Sequence, residues 1–282
     1  MISNLERSFI LKALCSGVRL DERTLNSFRD TSFLFHPTQR GHVTVHLGQT
    51  KVLAVTTATI IRPYVDRPAE GTINYFVDLT ALALLESDEQ EEGRLQRLLE
   101  RVLKNSRVVD TESLCVVPGE RVWSVRVDIR VIDHDGALLD ASVAAAVASL
   151  VDFRRPEVTV TEDGVTVHSE FERNPVPLAL HNPAIAVSFA VLDPAEEETD
   201  HATKQQSKVV PVVDPVWMEE QCGGGRLSMA INRNGEVVML VKTGGEALDM
   251  ETIQTDCLYV ARQRAVHILD AINAAIVKAR GK

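Results

Sequence analysis

The sequence has 282 residues, with 30 Lys and Arg against 40 Asp and Glu, a formal net charge of −10 and a pI near 5.3. Its 45% hydrophobic and 25% charged residues exclude a disordered chain, a collagen-like repeat and a small disulfide scaffold. The acidic excess also excludes a protein coated in nucleic acid, so any RNA or DNA contact must come from a local basic patch.

In chain order, Ser3 to Cys15 carries Leu5, Phe9, Ile10 and Leu14 at helical spacing, with Ser3 or Asn4 as cap. A β-rich block follows. Gly41 to Leu47 alternates, Gly48-Gln49 turns, and Val52 to Ile61 returns. Thr72 to Leu79 reads as another strand, Glu86 to Glu92 as an acidic run, and about Gly93 to Asn105 as a helix. Val122 to Ile132 alternates again, and Asp140 to Val151 is an alanine-rich helix. After Pro156 the pattern restarts, with strands at Val158–Val160 and Val165–His168 around the turn Glu162-Asp163-Gly164. Ile185 to Leu192 and Val209 to Val213 read as strands, separated by an exposed loop from Asp193 to Lys208. Arg226–Ile231 and Val237–Val241 form a hairpin around Asn234-Gly235. A long C-terminal helix aligns Ile253, Cys257, Val260, Ala261, Ile268, Leu269, Ile272 and Ile276 on one face. Strands followed by helices thus occur twice. The architecture expected is α+β, with halves at residues 1–153 and 154–282 packed on one core as one compact unit.

No segment reaches the roughly 18 to 20 apolar residues that cross a bilayer. The most apolar stretch, Ala141 to Leu150, suits a buried helix, and Glu6 and Arg7 interrupt the N-terminus where a secretory signal would be apolar. No membrane association and an intracellular chain are expected. Cys15, Cys115, Cys222 and Cys257 lie far apart, without the spacing of a zinc site, and read as free thiols. Gly223-Gly224-Gly225 lacks the Lys-Ser/Thr of a phosphate loop, and a turn is the simpler use. His134-Asp135 is too few ligands for a metal and reads as a turn completed by Gly136. No metal and no cofactor are expected.

One feature points to a partner. Arg94, Arg97, Arg101 and Lys104 recur at i, i+3, i+7 and i+10, on the helix face opposite Leu95, Leu98, Leu99, Val102 and Leu103. Such a row is either a solvated face or a stripe for a phosphate backbone.

The motif Leu95-Gln-Arg-Leu-Leu-Glu-Arg-Val-Leu-Lys-Asn-Ser106, then Asp110-Thr-Glu-Ser-Leu-Cys-Val-Val-Pro-Gly-Glu120 and Val122-Trp-Ser-Val-Arg-Val-Asp128, resembles the RNase PH family. Arg19-Leu-Asp-Glu-Arg23, Asp133-His-Asp-Gly136 and Phe153-Arg-Arg-Pro156 narrow the likeness to its non-catalytic ring subunits of the eukaryotic RNA exosome. The resemblance runs from about Leu5 to Ala279 and implies the RNase PH-like fold, two βαβα-type halves with closing helices. Active members hold phosphate with a loop reading roughly Gly-Gly-Thr-Arg-Thr, and here Gly136-Ala-Leu-Leu-Asp140 stands there, with Leu139 at the arginine position. They also carry an aspartate in the second half. After Asp214-Pro-Val-Trp-Met-Glu-Glu220, Arg226 stands at or beside its place, and no aspartate occurs from Gln221 to Gly245. The resemblance therefore implies a pseudoenzyme with no catalytic residue, the alternative being an active phosphorolytic 3′-to-5′ exoribonuclease.

The same likeness implies a six-membered ring of RNase PH-like exosome subunits, cap proteins with RNA-binding domains and associated exosome nucleases as partners. It implies RNA as the common ligand, and the nucleus and nucleolus, with the cytoplasm, as location. In related archaeal rings the inactive subunit lends this helix to help hold RNA. The RNA-binding candidates it implies are Arg97, Arg101 and Lys104, with Arg94 and Arg107 beside them; Arg62 and Arg67, in the loop before Glu70-Gly71, are further candidates that either face the channel or only neutralise Asp66 and Glu70.

Overall fold

The computed structural model describes residues 3–80, 88–161, 164–169, 171–192, 210–245 and 247–281. Helix α1 (Asn4–Cys15) begins at Ser3 with a capping box: Ser3 Oγ accepts the Glu6 amide at 3.3 Å, and the Glu6 carboxylate accepts the Ser3 amide at 2.9 Å. The first sheet contains β1 (Thr31–Phe35), β2 (His42–Leu47), β3 (Thr50–Ile61), β4 (Thr72–Asp78), β5 (Cys115–Val117) and β6 (Arg121–Asp133). Its order is β1-β2-β3-β6-β4, with β5 against β6. Among the described residues only β4 and β6 pair in parallel. Helix α2 (Asp88–Asn105) lies between them in the chain and packs on β4, the crossover a parallel pair requires. Val43, Val45 and Leu47 point inward at alternate positions of β2, as the period of a half-buried strand dictates.

Helix α3 (Leu138–Asp152) is buried along almost its whole length. Its alanines present little bulk, so it fits between the first sheet and the second, packing on β2, β3 and β11. Between the sheets the chain makes β7 (Arg154–Arg155), the hairpin β8 (Val158–Thr161) and β9 (Gly164–Val167), and β10 (Val176–Pro177), which pairs with β7. The expected boundary at residue 153 falls on Phe153, the C-cap of α3. The second sheet, β11 (Ala184–Leu192), β12 (Val210–Val213), β13 (Gly225–Asn232) and β14 (Val237–Gly244), is antiparallel throughout in the order β12-β11-β13-β14. Helix α4 (Trp217–Cys222) lies between β12 and β13. A short α5 (Met250–Thr252), a π-helical turn (Ile253–Cys257) and α6 (Leu258–Arg280) close the chain, with α6 across β11, β13 and β1. One cluster of buried side chains joins both sheets, α3 and α6.

Several elements differ from the sequence expectation. Helix α2 already includes Asp88, five residues before the expected start at Gly93. Acidic residues are favoured in a helix's first turn by its dipole, which draws the acidic run into the helix, and a single interior glycine costs about 1 kcal/mol. The edge strand β1 is half exposed and formed by its pairing with β2, so Thr31–Phe35 carries no clean local signal. The short α4 replaces a plain acidic segment. The expected loop Asp193–Lys208, the turn residues Glu162 and Asp163, and Glu86 lie outside the described residues. Among the described residues, no helix is long and apolar enough to cross a membrane.

Candidate nucleic-acid interface

Two regions collect the residues singled out by the sequence. The first is the turn that starts α3. Gly136 has φ +85°, and a Cβ there would lie 2.2 Å from the Pro215 carbonyl oxygen, so only glycine lets this turn pack on the chain entering α4. His134 Nδ1 accepts the Gly136 amide at 3.1 Å, while Thr50 Oγ1 accepts the Asp135 amide at 3.0 Å and donates to the Gly136 carbonyl at 2.9 Å. His134 thus shapes a turn.

Ala137, at φ +51°, is the N-cap of α3 and has no side chain to cap it. The missing acceptor comes from α4: Glu220 Oε1 accepts the Ala137 amide at 2.9 Å, and its other oxygen pairs with Arg226. Burial pushes the Glu220 carboxyl above its usual range, against the pull of Arg226. One turn into the helix, the Asp140 carboxylate accepts the Ser188 amide and the Ser188 hydroxyl, each at 2.7 Å. Burial raises Asp140 to about 7 despite those bonds. Leu139 is only 6% exposed and belongs to the core.

Beneath this turn lies an ion network that the sequence does not reveal. Asp214, 1% exposed and at φ +47°, accepts the Arg29 amide at 2.7 Å, Arg29 Nη2 at 2.6 Å and Arg23 Nη1 at 3.2 Å. Burial alone would raise its carboxyl, but Arg29 and then Arg23 hold it below the usual range. Arg19 is fully enclosed: Nε and Nη2 pair with Glu219, and Nη1 donates to the Val213 carbonyl at 2.8 Å. Arg23 also pairs with the neighbouring Asp21, but the carboxylates that hold Arg19 and Arg29, Glu219 and Asp214, lie nearly two hundred positions away, with no periodicity to link them.

The second region is the outer face of α2. Leu95, Leu99, Val102 and Leu103 are buried and Leu98 is half-buried, which turns Arg97, Arg101 and Lys104 outward. No hydrogen bond or ion pair holds Arg97 or Arg101 among the described residues. Lys104 pairs with Glu100 at 2.9 Å, an exposed i,i+4 contact worth a few tenths of a kcal/mol. Arg94 leans the other way and donates to Thr243 Oγ1 of β14 at 2.7 Å. Arg107 follows the helix at φ +48° and is exposed. Arg67 pairs with Glu70 at 3.2 Å, and Arg62 is exposed just past β3. Arg67, Lys104 and Arg107 converge on one groove, Arg97 and Arg101 lie along the helix leading to it, and Arg62 and Arg94 stand apart.

Residues 27–156 match the RNase PH model, "3′ exoribonuclease family, domain 1", and residues 182–264 match its domain 2. The chain is 36% identical over 278 residues to Exosome complex component RRP45A of Arabidopsis thaliana, covering 96% of this chain and 86% of the relative. It belongs to the RNase PH family. It is also 37% identical over 279 residues to Exosome complex component RRP45 of Bos taurus, covering 98% of this chain but 60% of that longer protein. A solved structure described as an Archaeoglobus fulgidus exosome with RNA bound to the active site superposes with a TM-score of 0.76 at 26% identity, over 95% of this chain and 97% of that one. Within the family, the likeness is to ring subunits of the type also called polymyositis/scleroderma autoantigen one.

The start of α3 carries the positions that the family resemblance singled out. Leucine occupies the position expected for arginine and is sequestered in the core. Arg226 is neutralised by Glu220, and Asp140 is held by Ser188. The start of α3 is thus bordered by the carboxylates of Asp140 and Glu220, with Arg226 paired to Glu220 and Arg29 on the Asp135 and Gly136 carbonyls.

Proposed function

We propose that the chain is a non-catalytic structural subunit of an exosome core ring. It scaffolds 3′-to-5′ RNA processing and degradation and lines part of the RNA path. The observation that carries the non-catalytic reading is Glu220, whose carboxylate takes the α3 amide and Arg226 for itself. A phosphate arriving there would meet a buried carboxylate instead of free donors. The likeness to RRP45 components over nearly the whole chain supports the ring, with other RNase PH-like subunits as neighbours. Cap proteins with RNA-binding domains and associated exosome nucleases complete the reading, in the nucleus, nucleolus and cytoplasm. The alternative, an active phosphorolytic exoribonuclease, lacks both the anion-binding arginine and the second-half aspartate. Highly purified chain incubated with a 3′-extended RNA and inorganic phosphate should release no nucleoside diphosphate above a buffer control. Phosphate-dependent release that co-purifies with the chain sinks the pseudoenzyme reading.

For the RNA path, Arg97 and Arg101 present their guanidinium groups one helical turn apart, and Lys104 continues the row. They offer phosphate contacts with no base edge to read, as a path open to any sequence requires. Changing Arg97, Arg101 and Lys104 together to Glu should leave ring assembly intact. RNA affinity should fall on the order of tenfold or more at low salt for all sequences alike, and log affinity should vary less steeply with log salt. Unchanged binding by a correctly assembled variant makes the row a solvated face.

A further inference from the structure

A groove of about 910 Å³ lies between the loop preceding β4 and the end of α2, within the roughly 300–1,000 Å³ range of sites that enclose small ligands. Tyr64 lines it and is 69% exposed, an aromatic face with little covering it. Arg67, Lys104 and Arg107 line it as well.

Arg107 is the informative residue. Its amide bonds back to the Lys104 carbonyl at 3.1 Å and that of Val108 to Leu103 at 3.5 Å, the closing pattern of a helix whose next residue turns left-handed. Glycine is the favoured residue there, because a side chain at φ +48° crowds its own backbone. Arginine at this position sacrifices stability and places a cation in the groove. Asn182, at φ +41°, lines the same groove, so two of the five non-glycine residues with positive φ among the described residues meet here. Backbone strain concentrates at sites that bind.

We propose that this groove is a nucleotide subsite for single-stranded RNA, in which one base stacks on Tyr64 and the adjoining phosphate rests on Lys104 and Arg107. This rests on the reading of the chain as an RNA-path subunit, and adds a base contact to a row that otherwise touches only backbone. Glu70, Asp110 and Glu112 also line the groove; their carboxylates oppose any phosphate backbone there, while a base can donate its amino protons to them. The exposed Lys104–Glu100 pair is weak enough to give way to a phosphate. Stacking on an aromatic ring is tolerant of sequence, because every base has a π-face.

The test uses the full chain, fluorescence anisotropy, a labelled hexa-adenylate and an abasic ribose-phosphate oligomer of equal length. Tyr64→Ala should weaken hexa-adenylate about fivefold or more and leave the abasic oligomer unchanged, while Tyr64→Phe keeps both affinities. Arg107→Gly should weaken both oligomers and melt at the same temperature as the parent or higher. If Tyr64→Ala changes neither affinity while an Arg97→Ala/Arg101→Ala double variant weakens both, the groove proposal fails and the RNA-path reading stands. If neither variant changes binding, both fail. A lower melting temperature for Arg107→Gly would show that the arginine serves the fold. Protection of the β4 and α2 groove amides from hydrogen exchange on assembly with ring neighbours, with RNA affinity then indifferent to Tyr64→Ala, would give the groove to a protein and overturn the proposal.

Discussion

Asp214→Asn should cost the protein on the order of 3–5 kcal/mol, the loss typical of breaking a buried ion pair from one side. The variant keeps the size of the side chain and a residue type that accepts φ +47°, so the loss reports charge rather than shape. Arg29 is 8% exposed, and without Asp214 its guanidinium would face only the distant edge of Asp135, at 3.5 Å, and backbone carbonyls. Arg29→Met on the Asp214→Asn background should recover part of the loss, because it removes the stranded charge. Denaturant midpoints of the two variants and the parent decide the matter. A loss below about 1 kcal/mol would mean that water reaches Arg29 and that the network is marginal. The pH arm has a definite sign. Asp214 is held below its unfolded value, so its contribution is complete above about pH 4 and disappears as the pH falls through the folded value.

Asp140→Asn should have the opposite effect and stabilise the protein at neutral pH. In the fold burial pushes the Asp140 carboxyl up to about 7, from an ordinary value of 3.8. Between those values the native state holds a proton that the unfolded chain has released, so stability declines as the pH rises from about 4 to about 7. At about 1.4 kcal/mol per pH unit, the penalty on ionising is at most about 4 kcal/mol. A small cavity of about 20 Å³ bordered by Asp140, Asp214 and Arg264 has room for one water, which reduces the penalty. An asparagine amide can donate to Ser188 Oγ and its oxygen can still accept the Ser188 amide, so the local bonds survive the change. The variant should therefore gain on the order of 1–3 kcal/mol at pH 8, little at pH 4, and show a flatter stability profile between them. Equal stabilisation at pH 4 and pH 8 would mean that the gain comes from packing and that Asp140 titrates normally.

The contrast between these two carboxylates shows where sequence reading stops. Asp140 and Asp214 look alike in a list of acidic residues. One faces Ser188 and other carboxylates, the other two arginines, and only the convergence of α3, β11, β12 and the segment 19–29 assigns those neighbours. Glu219 and Glu220 are adjacent in sequence, yet one neutralises Arg19 and the other caps α3 and holds Arg226.

What the sequence determined by itself is the part that local periodicity encodes. The alternation of Gly41 to Leu47, the Asn234-Gly235 turn, the alanine run of α3 and the opposite apolar and cationic faces of α2 are written in neighbouring residues, because strand and helix periods repeat over a few positions. The family resemblance rested on contiguous motifs of the same kind, and so did the positions at which Leu139 and Arg226 stand. The tertiary structure decided the rest. It buried Arg19 against Glu219, two hundred positions away, filled the start of α3 with Glu220, turned Arg94 away from the α2 row and joined Arg67, Lys104 and Arg107 in one groove with Tyr64. Each of these depends on which loops meet once the two sheets close on α3. A charged side chain carries no local sign of whether water or an opposite charge will face it.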